Sequence, residues 1–176
     1  MNLRHLPILL LCAVPLAAAP ATAQEAEHDH ANCPMHAQHM KDSMKDMDQR
    51  GDATMGFDHE RTTHHFLITD QGGVIQVEAN DSKDTESRDQ IRHHLADIAG
   101  KFASGDFSDP AKIHDRVLPG VPEMIRRKDA ITWRYEEKER GGQVVITTAD
   151  PAARSAVHDF LRAQIADHRT GDPMGR

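Results

Sequence analysis

The fold is decided by the stretch His64-His65-Phe66-Leu67-Ile68-Thr69, Asp70-Gln71-Gly72-Gly73, Val74-Ile75-Gln76-Val77-Glu78-Ala79. Two runs rich in β-branched and aromatic residues flank a Gly-Gly turn, the pattern of a β-hairpin. After Asn80-Asp81-Ser82, which reads as a helix start, Ile91, Leu95, Ile98 and Phe102 recur at the three- and four-residue steps of an apolar helix face. The unit then returns. Ile131-Thr132-Trp133-Arg134-Tyr135-Glu136, a turn at Arg140-Gly141-Gly142 and Gln143-Val144-Val145-Ile146-Thr147-Thr148 make a second hairpin, its glycine pair 69 residues after the first. Ala149-Asp150-Pro151 supplies an N-cap and a first-turn proline, and Val157, Phe160, Leu161 and Ile165 mark the helix face. Shortening the second copy by three residues ahead of its helix places Ile91 on Val157, His94 on Phe160 and Leu95 on Leu161.

A single hairpin is marginal in water and needs a helix or another hairpin over its apolar face. Two ββα repeats therefore predict an α+β fold: a four-stranded antiparallel sheet with both helices on one face. The pattern leaves strand order open, and two chains pooling their sheet edges in a homodimer is the alternative. The repeats occupy residues 56–171, with 172–176 expected to be disordered. Between them, Ser104 to Ala130 carries Gly105, Pro110, Pro119, Gly120 and Pro122. A connection of that length predicts a functional loop or a short helix over Pro122 to Lys128, pinned by Ile113-His114 and Val117-Leu118.

Before the repeats the chemistry changes. Residues 1–23 read as a signal peptide: Arg4 and His5, an apolar run from Leu6 to Leu16, and the small-x-small site Ala21-Thr22-Ala23. The run is too short, and too broken by Pro7 and Pro15, to stay in a bilayer as a spanning helix. The expectation is a periplasmic or secreted protein with no membrane span after cleavage. Removing the signal takes away one charged residue, Arg4, leaving 20 basic against 28 acidic side chains, a net charge of −8. That balance argues against a nucleic-acid partner, which calls for a basic footprint.

Residues 24–55 form a leader with hardly a core-building side chain, so it is expected to be a flexible tail. It carries His28, His30, His36 and His39, the methionines Met35, Met40, Met44 and Met47, and Cys33. Imidazole, thioether and thiolate together suit a soft or borderline metal, copper above all, because thioether sulfur holds Cu(I) and has little affinity for hard cations. With Cys12 lost in the signal, Cys33 has no intramolecular partner, and in an oxidising compartment it must pair between chains, oxidise or bind metal. Met40, Met44 and Met47 would share one face were the segment helical.

The repeats hold eight more histidines. His64 alternates with Phe66 and Ile68 and so points inward. His94 falls on the apolar face of the first helix, and His168 extends the face of the second beyond Ile165. Singly, each reads as a core-edge histidine bonded to backbone. Convergence of His64, His94 and His114 would make them ligands instead.

Cys33-Pro34-Met35-His36 resembles the core of the heavy-metal-binding motif Tyr-x-Cys-Pro-Met-His-Pro of copper and silver efflux proteins, which implies Cys33, Met35 and His36 as ligands. The tyrosine is missing and Ala37 replaces the second proline. Met55-Gly56-Phe57, Thr62 to Phe66 and the ending Phe160 to Asp172 resemble a family of small exported bacterial proteins, some of them labelled aspartate carbamoyltransferase. That activity does not carry over. The chain has no Ser-Thr-Arg-Thr-Arg phosphate loop or His-Pro-x-Gln motif, and is far shorter than such a catalytic subunit.

The leading expectation is thus a periplasmic copper-binding protein, favouring Cu(I), that buffers, delivers or confers resistance, with a metal-trafficking protein as partner. The alternative is an exported domain that binds haem or another small ligand through His64, His94 or His114. Against haem stand the absence of Cys-x-x-Cys-His and a total of five Phe, one Trp and one Tyr. No Gly-x-Ser-x-Gly, His-Glu-x-x-His or phosphate loop points to an enzyme.

Overall fold

The structure, a computed structural model, describes residues 34–175. His28, His30 and Cys33 lie outside them. In order the elements are α1 (Pro34–Met55), β1 (Thr62–Thr69), β2 (Gly72–Ala79), α2 (Thr85–Ser104), α3 (Ser108–His114), α4 (Val121–Arg126), β3 (Thr132–Lys138), β4 (Gly141–Thr147) and α5 (Pro151–His168). Single 3-10 turns over His59–Arg61 and Lys128–Ala130 lead into β1 and β3.

The four strands form one antiparallel sheet in the order β1-β2-β4-β3. The hairpins join through β2 and β4, where Ile75 faces Val144, its own counterpart in the repeat. An approximate twofold axis therefore runs through the centre of the sheet. Both turns are tighter than expected: Thr69 pairs with Gly72 and Lys138 with Gly141, so two residues, Asp70-Gln71 or Glu139-Arg140, make each turn. The glycines instead open β2 and β4, because close neighbours leave no space for a side chain. A Cβ on Gly73 would lie 2.2 Å from Leu161 Cδ1 and one on Gly141 2.2 Å from the Val77 carbonyl oxygen.

Both long helices cover the same face, but each packs across the axis. Helix α2 sits mainly on β4 and β3, and α5 on β1 and β2. Neither ββα unit closes its own core, and the shared interior holds Phe66, Ile75, Val77, Ile91, Leu95, Val144, Ile146, Val157, Phe160 and Leu161. Helix α2 starts later than Asn80-Asp81-Ser82: Asp84 caps it by accepting from the Ser87 amide at 3.1 Å. Asp150 caps α5 by accepting from the Ala152 and Ala153 amides. The connection over 104–130 is two short helices, not a loop, with Phe107, Ile113, Leu118, Val121 and Met124 buried.

Both ends depart from expectation. Residues 34–55, read as a flexible tail, form α1, whose second half rests on α3 while Arg50 Nε donates to the Ile113 carbonyl at 2.9 Å. In the C-terminal residues read as disordered, Asp172 accepts from the Phe66 amide at 2.9 Å, and the Met174 carbonyl accepts from Arg162 Nε at 2.9 Å. Both ends are held by polar contacts to distant residues, which apolar periodicity does not register. No helix of the described residues is long and apolar enough to cross a membrane.

Candidate metal-binding site

The end of α1 passes over the inward face of β1 beside the end of α5, and this crossing collects sulfur and imidazole. Steps of three and four residues put Met44, Met47, Gly51 and Met55 on one side of α1. A Cβ on Gly51 would lie 3.3 Å from Met55 Cε, so the glycine leaves room for the Met55 side chain along this side of α1. Between this side and the body runs a groove of about 420 Å³ lined by Met44, Met47, Asp48, Met55, His59, His64 and His168. Of the stripe expected of Met40, Met44 and Met47, the last two thus face a partner surface. Met35, His36, His39 and Met40 fall in the first turns of α1.

Beneath the groove lies a cavity of about 50 Å³, lined on its polar side by His64, His94, His114 and His168 and closed by Phe66, Ile98, Phe102 and Phe160. Met55, His64 and His168 border both spaces. His64, His94 and His114 thus line one cavity together with His168, but no three of their ring nitrogens lie within 4.8 Å of one another among the described residues. The His64 ring is stacked on that of His168, centroids 5.7 Å apart, and His168 meets His114 edge-on at 5.1 Å. Phe57 packs on both His64 and His94, at 5.9 and 5.7 Å.

Burial, reinforced by His168, pushes the His64 pKa down to about 3. Burial pushes His94 to about 4, against opposing pulls from Asp109 and Asp97. Burial and His114 bring His168 to about 4, and burial lowers His114 despite Asp167 and Gln164. All four are neutral imidazoles at pH 7, the protonation state that coordinates a metal ion.

Their nitrogens are not equally available. His114 Nε2 donates to Gln164 Oε1 at 3.1 Å, and its Nδ1 lies 2.8 Å from Asp167 Oδ2, off the hydrogen-bond direction. His114 is thus a braced core-edge histidine and a poor ligand. His64 Nε2 is buried without a partner, and the ring nitrogens of His94 and His168 make no hydrogen bond among the described residues.

At the groove mouth His59 Nδ1 donates to Asp52, 2.9 and 3.0 Å from its two carboxylate oxygens, and Asp52 Oδ1 also accepts from the His59 amide. Partial burial opposes protonation of His59, but Asp52, Asp48 and Asp58 outweigh it and raise the pKa. Ligand atoms of Asp52, Asp58 and His59 lie within 4.8 Å of one another. These contacts fasten α1 to the turn before β1, a structural duty that accounts for the cluster.

Sequence reading missed Met55 and His59 at the groove. The steps Met44, Met47, Gly51, Met55 held the signal for the first, and nothing local marked the second. No protein-family model, curated protein or solved structure matches the chain.

Proposed function

We propose that this is a copper-binding protein working in the periplasm or outside the cell, which takes Cu(I) into the groove beneath α1. The observation that carries this reading is the meeting of three thioethers, Met44, Met47 and Met55, with the imidazoles of His59, His64 and His168 along one groove. Thioether sulfur selects Cu(I) over the hard cations abundant outside the cytoplasm and has no proton to lose or gain near neutral pH, so capture persists in mild acid. Cys33 and, in the first turns of α1, Met35, His36 and His39 are further soft ligands of the same chain, and the ion passes on to a metal-trafficking partner protein. The cavity of about 50 Å³ beneath the groove suits an ion or a water molecule and is far too small for a haem macrocycle.

The test is competition for Cu(I) against a chromogenic chelator, on the full mature chain carrying Cys33→Ser so that the thiolate does not mask the groove. The triple substitution Met44→Leu, Met47→Leu, Met55→Leu keeps volume and removes sulfur. Loss of competition in that variant supports the groove as the copper site; undiminished competition ends the reading.

A further inference from the structure

The outer strands of the sheet, β1 and β3, are counterparts, since an offset of 69 residues carries His64 onto Trp133 and Phe66 onto Tyr135. Their outer edges are finished differently. Facing pairs in an antiparallel sheet alternate between those that exchange main-chain hydrogen bonds and those that do not. The Phe66 amide points outward to Asp172, so Phe66 and Ile75 exchange none, Ile75 and Val144 do, and Val144 and Tyr135 do not. The main-chain N–H and C=O of Trp133, Tyr135 and Glu137 therefore point away from the sheet. At the β1 edge the Asp172 carboxylate takes the Phe66 amide, and Gly175 lies against Ile68, where a Cβ would come 3.1 Å from Cγ2. At the β3 edge the Tyr135 amide, the counterpart of that of Phe66, has no acceptor among the described residues.

A free strand edge is a template for another strand, and the side chains of β3 say which. Trp133 turns toward α2, where its ring meets Phe102, so Arg134 and Glu136 stand on the opposite face, which carries no helix. The two pair along the strand, Gln143 also donates to Glu136, and the Arg134 side chain is 63% exposed. An antiparallel copy of β3 centred on Tyr135 sets Arg134 opposite Glu136 of the second copy and Glu136 opposite Arg134 of the second copy. Charges of alternating sign then share one surface. In the same register Tyr135 faces Tyr135 and Trp133 faces Glu137, and these are the residues whose main-chain groups the single chain leaves unpaired. Centring the pair one residue to either side would set Arg134 against Arg134 or Glu136 against Glu136, like charges directly opposite.

We propose that β3 pairs antiparallel with β3 of a second copy of this chain, centred on Tyr135, and joins two four-stranded sheets into one continuous sheet. The contact is isologous, and the assembly stops at a dimer. The β1 edge, which would otherwise carry the sheet further, is held at Phe66 by Asp172 and covered at Ile68 by Gly175. The groove beneath α1 takes its strand residues, Thr62, Thr63 and His64, from β1, at the far edge of the sheet. Pairing through β3 therefore leaves both grooves open, whether or not they take Cu(I).

The test is the oligomeric state of the full mature chain carrying Cys33→Ser, with a metal chelator present, so that neither a disulfide nor a shared ion joins two leaders. Sedimentation equilibrium is expected to show a reversible association of monomer into dimer. Arg134→Glu and Glu136→Arg each place like charges opposite and should weaken dimerisation at least about tenfold, while the two substitutions together restore it. In the parent, hydrogen exchange at the Tyr135 amide should slow as protein concentration rises, and exchange at the Phe66 amide should not change. A chain monomeric at every concentration, a dimer indifferent to both single reversals, or a double variant that stays monomeric would overturn the proposal. Should a variant fail to fold, exchange at the Tyr135 amide of the parent decides the question alone.

Discussion

The cluster of Phe102, Trp133 and Phe160 and the cluster of His168, His64 and His94 occupy equivalent places under one sheet, yet they differ in nearly every physical property. The first is a set of edge-on ring contacts extended by Phe107, stacked on Phe102 at 4.5 Å. The second is a set of neutral imidazoles opening into a cavity and, through Met55, into the groove beneath α1. Ahead of β1 stand the 22-residue α1 and a 3-10 turn, whereas ahead of β3 stand the six-residue α4 and a 3-10 turn. The difference teaches that one cluster, built from both repeats, supplies stability while the other, also built from both, tolerates costly groups. Because α2 and α5 pack across the axis, the stable half also holds the site half in place.

The largest expected break is with acid. In the unfolded chain the histidines titrate near 6.5, whereas His94 and His168 in the fold titrate near 4 and His64 near 3. Between these values the unfolded state binds more protons. Stability is therefore full above about pH 6.5 and declines as the pH falls, with the His94 and His168 contributions exhausted below about 4. At pH 5 the loss is about 2 kcal/mol for each of His94 and His168. Metal-free protein melted between pH 7 and pH 4.5 should show a steep fall in Tm, and His94→Phe or His168→Phe should flatten it. An unchanged slope would mean that these rings are not buried as described.

Exchanging the chemistry the other way sharpens the contrast. Phe160→His puts an imidazole into the hydrocarbon half, where the Phe160 side chain is wholly buried, and should cost about 3 kcal/mol at pH 7 by denaturant unfolding. A cost no greater than that of a surface substitution would erase the distinction between the clusters. The glycines that open β2 and β4 give a smaller contrast. At Gly73 a methyl would strike Leu161 Cδ1 at 2.2 Å and the Leu67 carbonyl oxygen at 2.6 Å; at Gly142 it meets the Tyr135 ring at 2.9 Å and the Leu95 side chain at 3.2 Å. Gly73→Ala should cost about 2 kcal/mol more than Gly142→Ala by the same measurement. Smallest is Asp172→Ala, which removes an acceptor from the Phe66 amide at the exposed edge of β1 and should cost about 1 kcal/mol. Hydrogen exchange at that amide is the direct reading, and unchanged protection would show the C-terminal contact to be idle.

Local pattern and tertiary structure divided the work along a physical line. Alternation from His64 to Ala79 and from Ile131 to Thr148, the apolar steps of α2 and α5, and the Asp150-Pro151 cap determined by themselves the doubled hairpin-and-helix architecture, because each signal is a property of neighbours in the chain. The leader's content of sulfur and imidazole was legible too, as composition needs no coordinates. Only the tertiary structure decided that the order is β1-β2-β4-β3, that each helix crosses to the other hairpin, and that α1 docks instead of trailing. That Met47 lines one groove with His64 and His168, and His94 one cavity with the same two, was settled there as well. It joins residues far apart in sequence, and a polar helix held by an arginine on a carbonyl leaves no periodic trace.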